Sequence, residues 1–114
     1  MDFNEMMSQL RKEYLTSLPE KISELKADLD SKNVEKLKED FHKLKGTGKT
    51  YGIPEVSQLA EAVEKIYFHK PDNALKATEE ALGLLKDIYE LRSQEKSMDL
   101  ATQRAYLRLI GLNS

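Results

Sequence analysis

The sequence contains no cysteine, so neither a disulfide nor a zinc site built on thiolates is available to it. Long apolar runs are also missing, because no segment approaches the roughly 18 residues that a membrane-spanning helix needs. The first residues, MDFNEMM, show no basic region followed by an apolar stretch, so we expect no secretory signal. Together these absences favour a cytoplasmic protein that does not associate with a membrane.

An excess of basic charge is missing as well. The formal net charge is −2, whereas a nucleic-acid-binding protein is expected to carry a basic face, so we expect no nucleic-acid partner. One third of the residues are charged and 39% are hydrophobic, which is typical of a folded globular protein rather than a disordered one. A length of 114 residues suits a single core of modest size.

The apolar residues recur at helical spacing along almost the whole chain, and no segment shows the sustained two-residue alternation of a strand. The three prolines lie near the starts of apolar stripes, Asn33 and Asp72 are candidate N-caps, and Gly52 is a candidate helix stop. The predicted helices span about 3–16, 19–31, 33–50, 54–69 and 72–92. Because short connections make sequential helices antiparallel neighbours, we predict an all-α, up-down-up-down four-helix bundle preceded by a short N-terminal helix.

The sequence SQEKS at 93–97 is typical of a linker. We therefore divide the chain into a bundle at 1–96 and a C-terminal extension at 97–114. Ser97 is a candidate cap for an extra short helix in this extension, with apolar members Leu100, Leu107, Ile110 and Leu112. The pattern does not indicate whether the extension packs on the bundle.

The stretch FHKLKGTGKTYG at 41–52 invites comparison with the phosphate-binding loop of nucleotide-binding proteins. That loop needs a glycine, four arbitrary residues and then Gly-Lys-Ser/Thr, and Lys43 occupies the place of the first glycine here. The loop must also follow a buried strand, whereas residues 34–44 have helical spacing. The phosphate-loop hypothesis is therefore rejected.

Placed on a helix, the same stretch directs His42 away from the core. Val34, Leu37, Phe41 and Leu44 are predicted to face the core. His42 is rotated about 100° from Phe41 and shares its face with Lys38, Lys45, Gly46 and Lys49. Side chains lean toward the helix N-terminus, so residue 46 would cover the imidazole if it were not glycine. Gly48 lies on the core side instead, which indicates close approach of a neighbouring helix.

This arrangement has a chemical interpretation. A mid-helix glycine costs about 1 kcal/mol relative to alanine, so Gly46 indicates that a partner needs access to His42. An exposed imidazole is substantially neutral at pH 7, and its free ring nitrogen is then a competent nucleophile. If His42 accepted a phosphoryl group, Lys45 and Lys49 would lie beside the added charge. Taken singly, a histidine or a lysine on a polar helix face is usually only a solvated surface residue.

At this point the sequence resembles the histidine phosphotransfer (HPt) domain family of two-component phosphorelays. Members carry a His-x-Leu-Lys-Gly helix, then small residues and a glycine ten residues after the histidine. Those places are filled here by His42, Leu44, Lys45, Gly46, Thr47, Gly48 and Gly52. The resemblance covers about residues 14–66. Two features depart from the family pattern, namely glycine at position 48 in place of alanine or serine, and the C-terminal extension.

The resemblance implies a four-helix bundle with an exposed phosphoacceptor histidine. It implies that His42 accepts a phosphoryl group on Nε2 from a receiver-domain aspartate, or from a sensor histidine kinase, and passes it to a response regulator. Mg²⁺ would belong to the receiver, and this chain would need no cofactor and no metal. It would be a stoichiometric carrier without kinase activity of its own, and we expect a monomer rather than a dimer.

The resemblance also draws attention to Glu64. Some members, notably of the chemotaxis-kinase type, place a glutamate there that accepts a hydrogen bond from Nδ1–H of the histidine. That bond would fix the tautomer and leave Nε2 free to attack. The alternative interpretation of Glu64 is an ordinary exposed helix residue.

Parts of this pattern also invite three other interpretations of function. A carboxylate-bridged di-iron bundle needs two Glu-x-x-His motifs. Glu39 and His42 form one such motif, but the residue three before His69 is Ile66 rather than glutamate, so the second motif is absent and we expect no metal site. A docking module of the same fold could bind a receiver or a kinase without phosphotransfer. A structural bundle that dimerises through its terminal helices is compatible with the apolar residues Phe3, Met6, Met7 and Leu10.

Overall fold

The structure is a computed structural model that describes residues 2–114, and within that range it contains helices and no strand. The five α-helices are α1 (Phe3–Asp30), α2 (Val34–Thr50), α3 (Pro54–His69), α4 (Ala74–Ser93) and α5 (Arg104–Gly111). Short 3₁₀ turns at Pro71–Asn73 and Leu100–Thr102 precede α4 and α5. The all-α prediction is confirmed.

Helices α1 to α4 form an antiparallel bundle in which each helix contacts the next and α4 closes the ring against α1. The direction of packing follows from side chains near opposite helix ends. Tyr14 in α1 hydrogen-bonds Thr47 near the end of α2, while Asp28 near the end of α1 lies 3.7 Å from Lys36. The predicted bundle is therefore confirmed. Of the α2 residues predicted to face the core, Leu37, Phe41 and Leu44 are buried, but Val34 remains 37% exposed.

The predicted break after residue 16 is wrong, because α1 runs without interruption through Pro19. An interior proline costs about 3 kcal/mol through the lost hydrogen bond and the ring clash. Burial of each large apolar side chain contributes about 1.5–3 kcal/mol, and α1 buries one such side chain per turn on both sides of the proline. These buried residues are Tyr14, Leu18, Ile22 and Leu25. Packing of a continuous stripe therefore outweighs the local cost, and residues 3–30 form one helix in place of the predicted short N-terminal helix and its successor.

The helix ends match the predicted caps in part. The Asn33 side chain accepts a hydrogen bond from Lys36 N at 3.2 Å and so caps α2 as predicted. Gly52 has φ +84°, and the amide of Ile53 donates to the Gly48 carbonyl across it, which is a Schellman stop. Asp72 does not cap α4, because it lies inside the 3₁₀ turn that follows Lys70.

The C-terminal segment packs on the bundle through α5, which contacts α3 and α4. Its helix begins at Arg104 rather than after Ser97, because the 3₁₀ turn capped by Asp99 comes between them. Met98, Leu100 and Leu109 are buried in the same core as the bundle residues. The extra C-terminal helix is thus confirmed, while the domain boundary at residue 96 stays a prediction.

A buried carboxylate joins this segment to the bundle. Glu55 at the start of α3 is 5% exposed and accepts two hydrogen bonds from the Arg92 guanidinium of α4, at 2.9 and 2.6 Å. Its Oε2 also accepts from the backbone amide of Met98 at 3.1 Å. Burial raises the pKa of Glu55, but the hydrogen bonds from Arg92 and Met98 outweigh it, so the pKa lies below its ordinary value.

Among residues 2–114, no helix combines the length and the apolar character that crossing a bilayer requires.

Glu55→Gln is expected to lower the free energy of unfolding at pH 7 by about 2 kcal/mol, because the charge-assisted bonds to Arg92 become neutral ones. The folded-state pKa of Glu55 is depressed. Its stabilisation is therefore complete above the unfolded pKa of about 4.3 and disappears as the pH falls through the folded pKa. Urea unfolding followed by circular dichroism should show the full difference at pH 7 and a smaller one at low pH. Equal stability at pH 7 would contradict this role.

Candidate functional site

Helix α2 presents His42 to solvent. Phe41 and Leu44 on either side of it are buried in the core, so the rotation of the helix about its axis is fixed. The His42 side chain consequently remains 71% exposed. A histidine in this position is accessible to a macromolecular partner.

One carboxylate of α3 holds the imidazole in place. Glu64 Oε2 lies 2.7 Å from His42 Nδ1, and its second oxygen lies 2.6 Å from Lys45 Nζ. The Glu64 side chain is only 12% exposed, so the carboxylate that accepts both hydrogen bonds is largely sheltered from water. The interpretation of Glu64 as an ordinary exposed residue is therefore wrong.

The protonation states at this cluster follow from the same contacts. Burial raises the pKa of Glu64, but the hydrogen bonds from Lys45 and His42 outweigh it and hold the pKa below its ordinary value. Donation to Glu64 raises the pKa of Lys45. Since an ionised carboxylate only accepts, His42 carries its proton on Nδ1 and, in the neutral ring, a lone pair on Nε2.

The remaining predicted site residues lie on the same helix face but make different contacts. Gly46 is exposed, and a Cβ added there would meet no atom within 4 Å. Lys49 is exposed and forms no ion pair within residues 2–114. The Lys45 ammonium lies on Glu64, the same carboxylate that contacts His42, and its place beside a group added to His42 stays a prediction.

The register of α2 against α3 is set by a contact that the sequence only partly indicated. A Cβ on Gly48 would lie 2.8 Å from the backbone nitrogen of Ser57, so the two helices approach as closely as glycine allows. The Ser57 hydroxyl donates to the Lys45 carbonyl at 2.6 Å. Close approach at Gly48 is confirmed. The part played by Ser57 was missed, because a serine one turn into a helix gives no sign of its partner.

A second pair bridges α2 and α3 beside His42 and was also missed. The Lys38 ammonium lies 5.7 Å from the centre of the Phe68 ring, and the ring is 68% exposed. A phenylalanine followed by His69 and Lys70 at the end of α3 departs from the apolar stripe, which was the available signal. No group of three or more histidine, aspartate and glutamate side chains within residues 2–114 is arranged to hold a metal ion.

Comparison with known proteins gives one finding. A family model described as the Hpt domain matches residues 9–95, about three quarters of the chain. No curated protein and no solved structure matches the chain significantly. The match contains all of α2, α3 and α4 and the part of α1 from residue 9 onward, and it ends before the C-terminal segment.

Two matched glycine variants test the contact between α2 and α3. Gly46→Ala is expected to stabilise the protein by about 0.5–1 kcal/mol, because it gains helix propensity and meets open space. Gly48→Ala gains the same propensity but forces Ser57 away, so a net loss of about 1–2 kcal/mol is expected. Urea unfolding of both variants measures the difference. If Gly48→Ala were as stable as Gly46→Ala, the close approach would not constrain the helices.

Proposed function

Because the chain belongs to the Hpt domain family, we propose that it is a phosphorelay carrier in which His42 accepts a phosphoryl group from one receiver domain and passes it to another. Histidine phosphotransfer in two-component systems is the function of this family, and its domains interact with receiver domains and kinases. The hydrogen bond between His42 Nδ1 and Glu64 carries the assignment to His42, because it prepares the exposed ring for attack through Nε2.

The proposed transfer begins with the neutral imidazole of His42. The Nε2 lone pair attacks the phosphorus of the receiver's aspartyl phosphate, so that an N–P bond forms and the O–P bond breaks. The bonding pair of the O–P bond returns to the aspartate as carboxylate. The ring keeps its proton on Nδ1 and becomes cationic, and the adjacent Glu64 carboxylate stabilises this positive charge. Donation to the next receiver reverses each change.

The other site residues have supporting roles in this proposal. Gly46 is exposed and places no side chain on the helix face that it shares with His42. Lys45 holds Glu64 ionised and in position. Lys49 is exposed on the same helix face, where its charge would attract the oxygens of the transferred group. Attraction between solvated charges at such distances is modest, so the group is positioned without being trapped.

The family's members are phosphocarriers rather than classical enzymes. We accordingly propose that this chain works stoichiometrically, has no kinase activity of its own and binds no cofactor, with Mg²⁺ supplied by the receiver. A sensor histidine kinase at the head of the relay, a cytoplasmic location and a monomeric state belong to the same proposal.

Transfer to His42 is tested by mixing the purified protein with receiver domains from the same organism that have been phosphorylated beforehand. The protein should acquire label that is lost in acid and survives base, as expected for a phosphoramidate. His42→Gln should acquire none. If the wild type bound a receiver but took no label from it, the docking-only module would replace the carrier.

The role of Glu64 is tested by Glu64→Gln, which keeps the size of the side chain and removes its charge. The transfer rate is expected to fall on the order of tenfold, the equivalent of one charge-assisted hydrogen bond. Nitrogen NMR of the His42 ring should show loss of the single Nδ1–H tautomer. A variant with an unchanged tautomer and an unchanged rate would show that Glu64 does not orient the ring.

A further inference from the structure

Phe68 is an exposed aromatic side chain that the core does not use. It stands on α3 with 68% of its surface accessible, and the ammonium of Lys38 from α2 lies over its ring. Single exposed apolar residues are common on protein surfaces and need no explanation by themselves. The position of Phe68 relative to His42 is what distinguishes it.

The pair formed by Lys38 and Phe68 lies one helical turn from the pair formed by His42 and Glu64. Lys38 precedes His42 by four residues on α2, and Phe68 follows Glu64 by four on α3, so each pair occupies the same two helix faces. One turn corresponds to about 5.4 Å along the axis. All four side chains line a single open groove between the two helices.

Any protein that delivers a phosphoryl group to His42 must cover this groove. Its reacting phosphorus has to approach Nε2 to about 3–3.5 Å, which brings the surrounding surface into contact. A standard interface buries about 800 Å² on each partner, equivalent to a disc of roughly 16 Å radius. Phe68 lies well inside such a disc when it is centred on His42.

We propose that Phe68 is the apolar anchor through which a receiver domain docks at His42, an inference that rests on the proposed carrier function. Aromatic side chains that become fully desolvated near the centre of an interface contribute most of its binding energy. Phe68 supplies such a side chain beside the reacting atoms.

The surroundings of the ring define what the receiver must offer. An apolar recess is needed to accept the ring of Phe68. Lys38 keeps one third of its side chain exposed, and its nearest carboxylate, from the largely exposed Glu35, is a loose 3.8 Å away. Acidic side chains around the rim of this recess would therefore form an ion pair with Lys38. This combination distinguishes receivers that fit from receivers that do not.

The test compares Phe68→Ala with Phe3→Ala, a matched control because Phe3 is 70% exposed and lies at the start of α1. Each protein is titrated with unphosphorylated receivers from the same organism and then assayed for transfer from the phosphorylated ones. Phe68→Ala should raise the dissociation constant of the cognate receiver about 10- to 30-fold. Phe3→Ala should leave it unchanged, and Lys38→Glu should weaken binding through repulsion from the acidic rim.

A reaction that does not require docking distinguishes the proposal that Phe68 is a docking anchor from the proposal that His42 carries a phosphoryl group. Phosphoramidate, a small phosphodonor, should label His42 equally in wild type and Phe68→Ala, because no docking is involved. If the wild type accepts label from a receiver and Phe68→Ala binds and accepts it equally well, the anchor is wrong and the carrier function stands. If a receiver binds in a Phe68-dependent way without transfer, the anchor stands and the carrier function fails. If no receiver binds the wild type, both fail.

Discussion

The close approach of α2 and α3 at Gly48 and Ser57 is the constraint on which the site depends. With no side chain at Gly48, the helices come near enough for the Ser57 hydroxyl to reach the Lys45 carbonyl. Glu64 lies two turns further along α3, about 10 Å away, and at this spacing its carboxylate meets His42 and Lys45 together. The absence of a side chain at Gly48 thus allows the hydrogen bond between Glu64 and His42 to form.

The site combines a sheltered carboxylate with an accessible ring. Glu64 is nearly buried, and each of its two oxygens accepts a hydrogen bond from a basic side chain. His42 is largely exposed, so a partner can reach it without displacing protein atoms. The cost of burying the Glu64 charge is offset by two partners, one on each oxygen, and the pKa of Glu64 is lowered as a result.

Much of this architecture could be predicted from the sequence, because apolar periodicity reports which face of a helix is buried. The prediction was wrong at Pro19, because the proline was taken to mark the start of a new helix. The apolar spacing of Tyr14, Leu18 and Ile22 continues across the proline and indicates one helix. Contacts between helices were harder to predict from the sequence. The partner of Lys45 and the location of Phe68 depend on the register of α2 against α3, and the packing of α5 depends on a surface assembled from α3 and α4. Neither is encoded in local spacing.

When the His42 ring is neutral, the cluster of Lys45, Glu64 and His42 has a formal charge of zero, since one cation and one anion cancel. In the proposed reaction, an incoming anionic donor would therefore meet no net repulsion from these three groups. A phosphoryl group on Nε2 would bring two negative charges and leave the ring with one positive charge, so the sum would become −1. Loading and unloading of such a carrier would then be distinguishable by electrostatic potential alone, and a partner could discriminate between the two states without any change in the shape of the bundle.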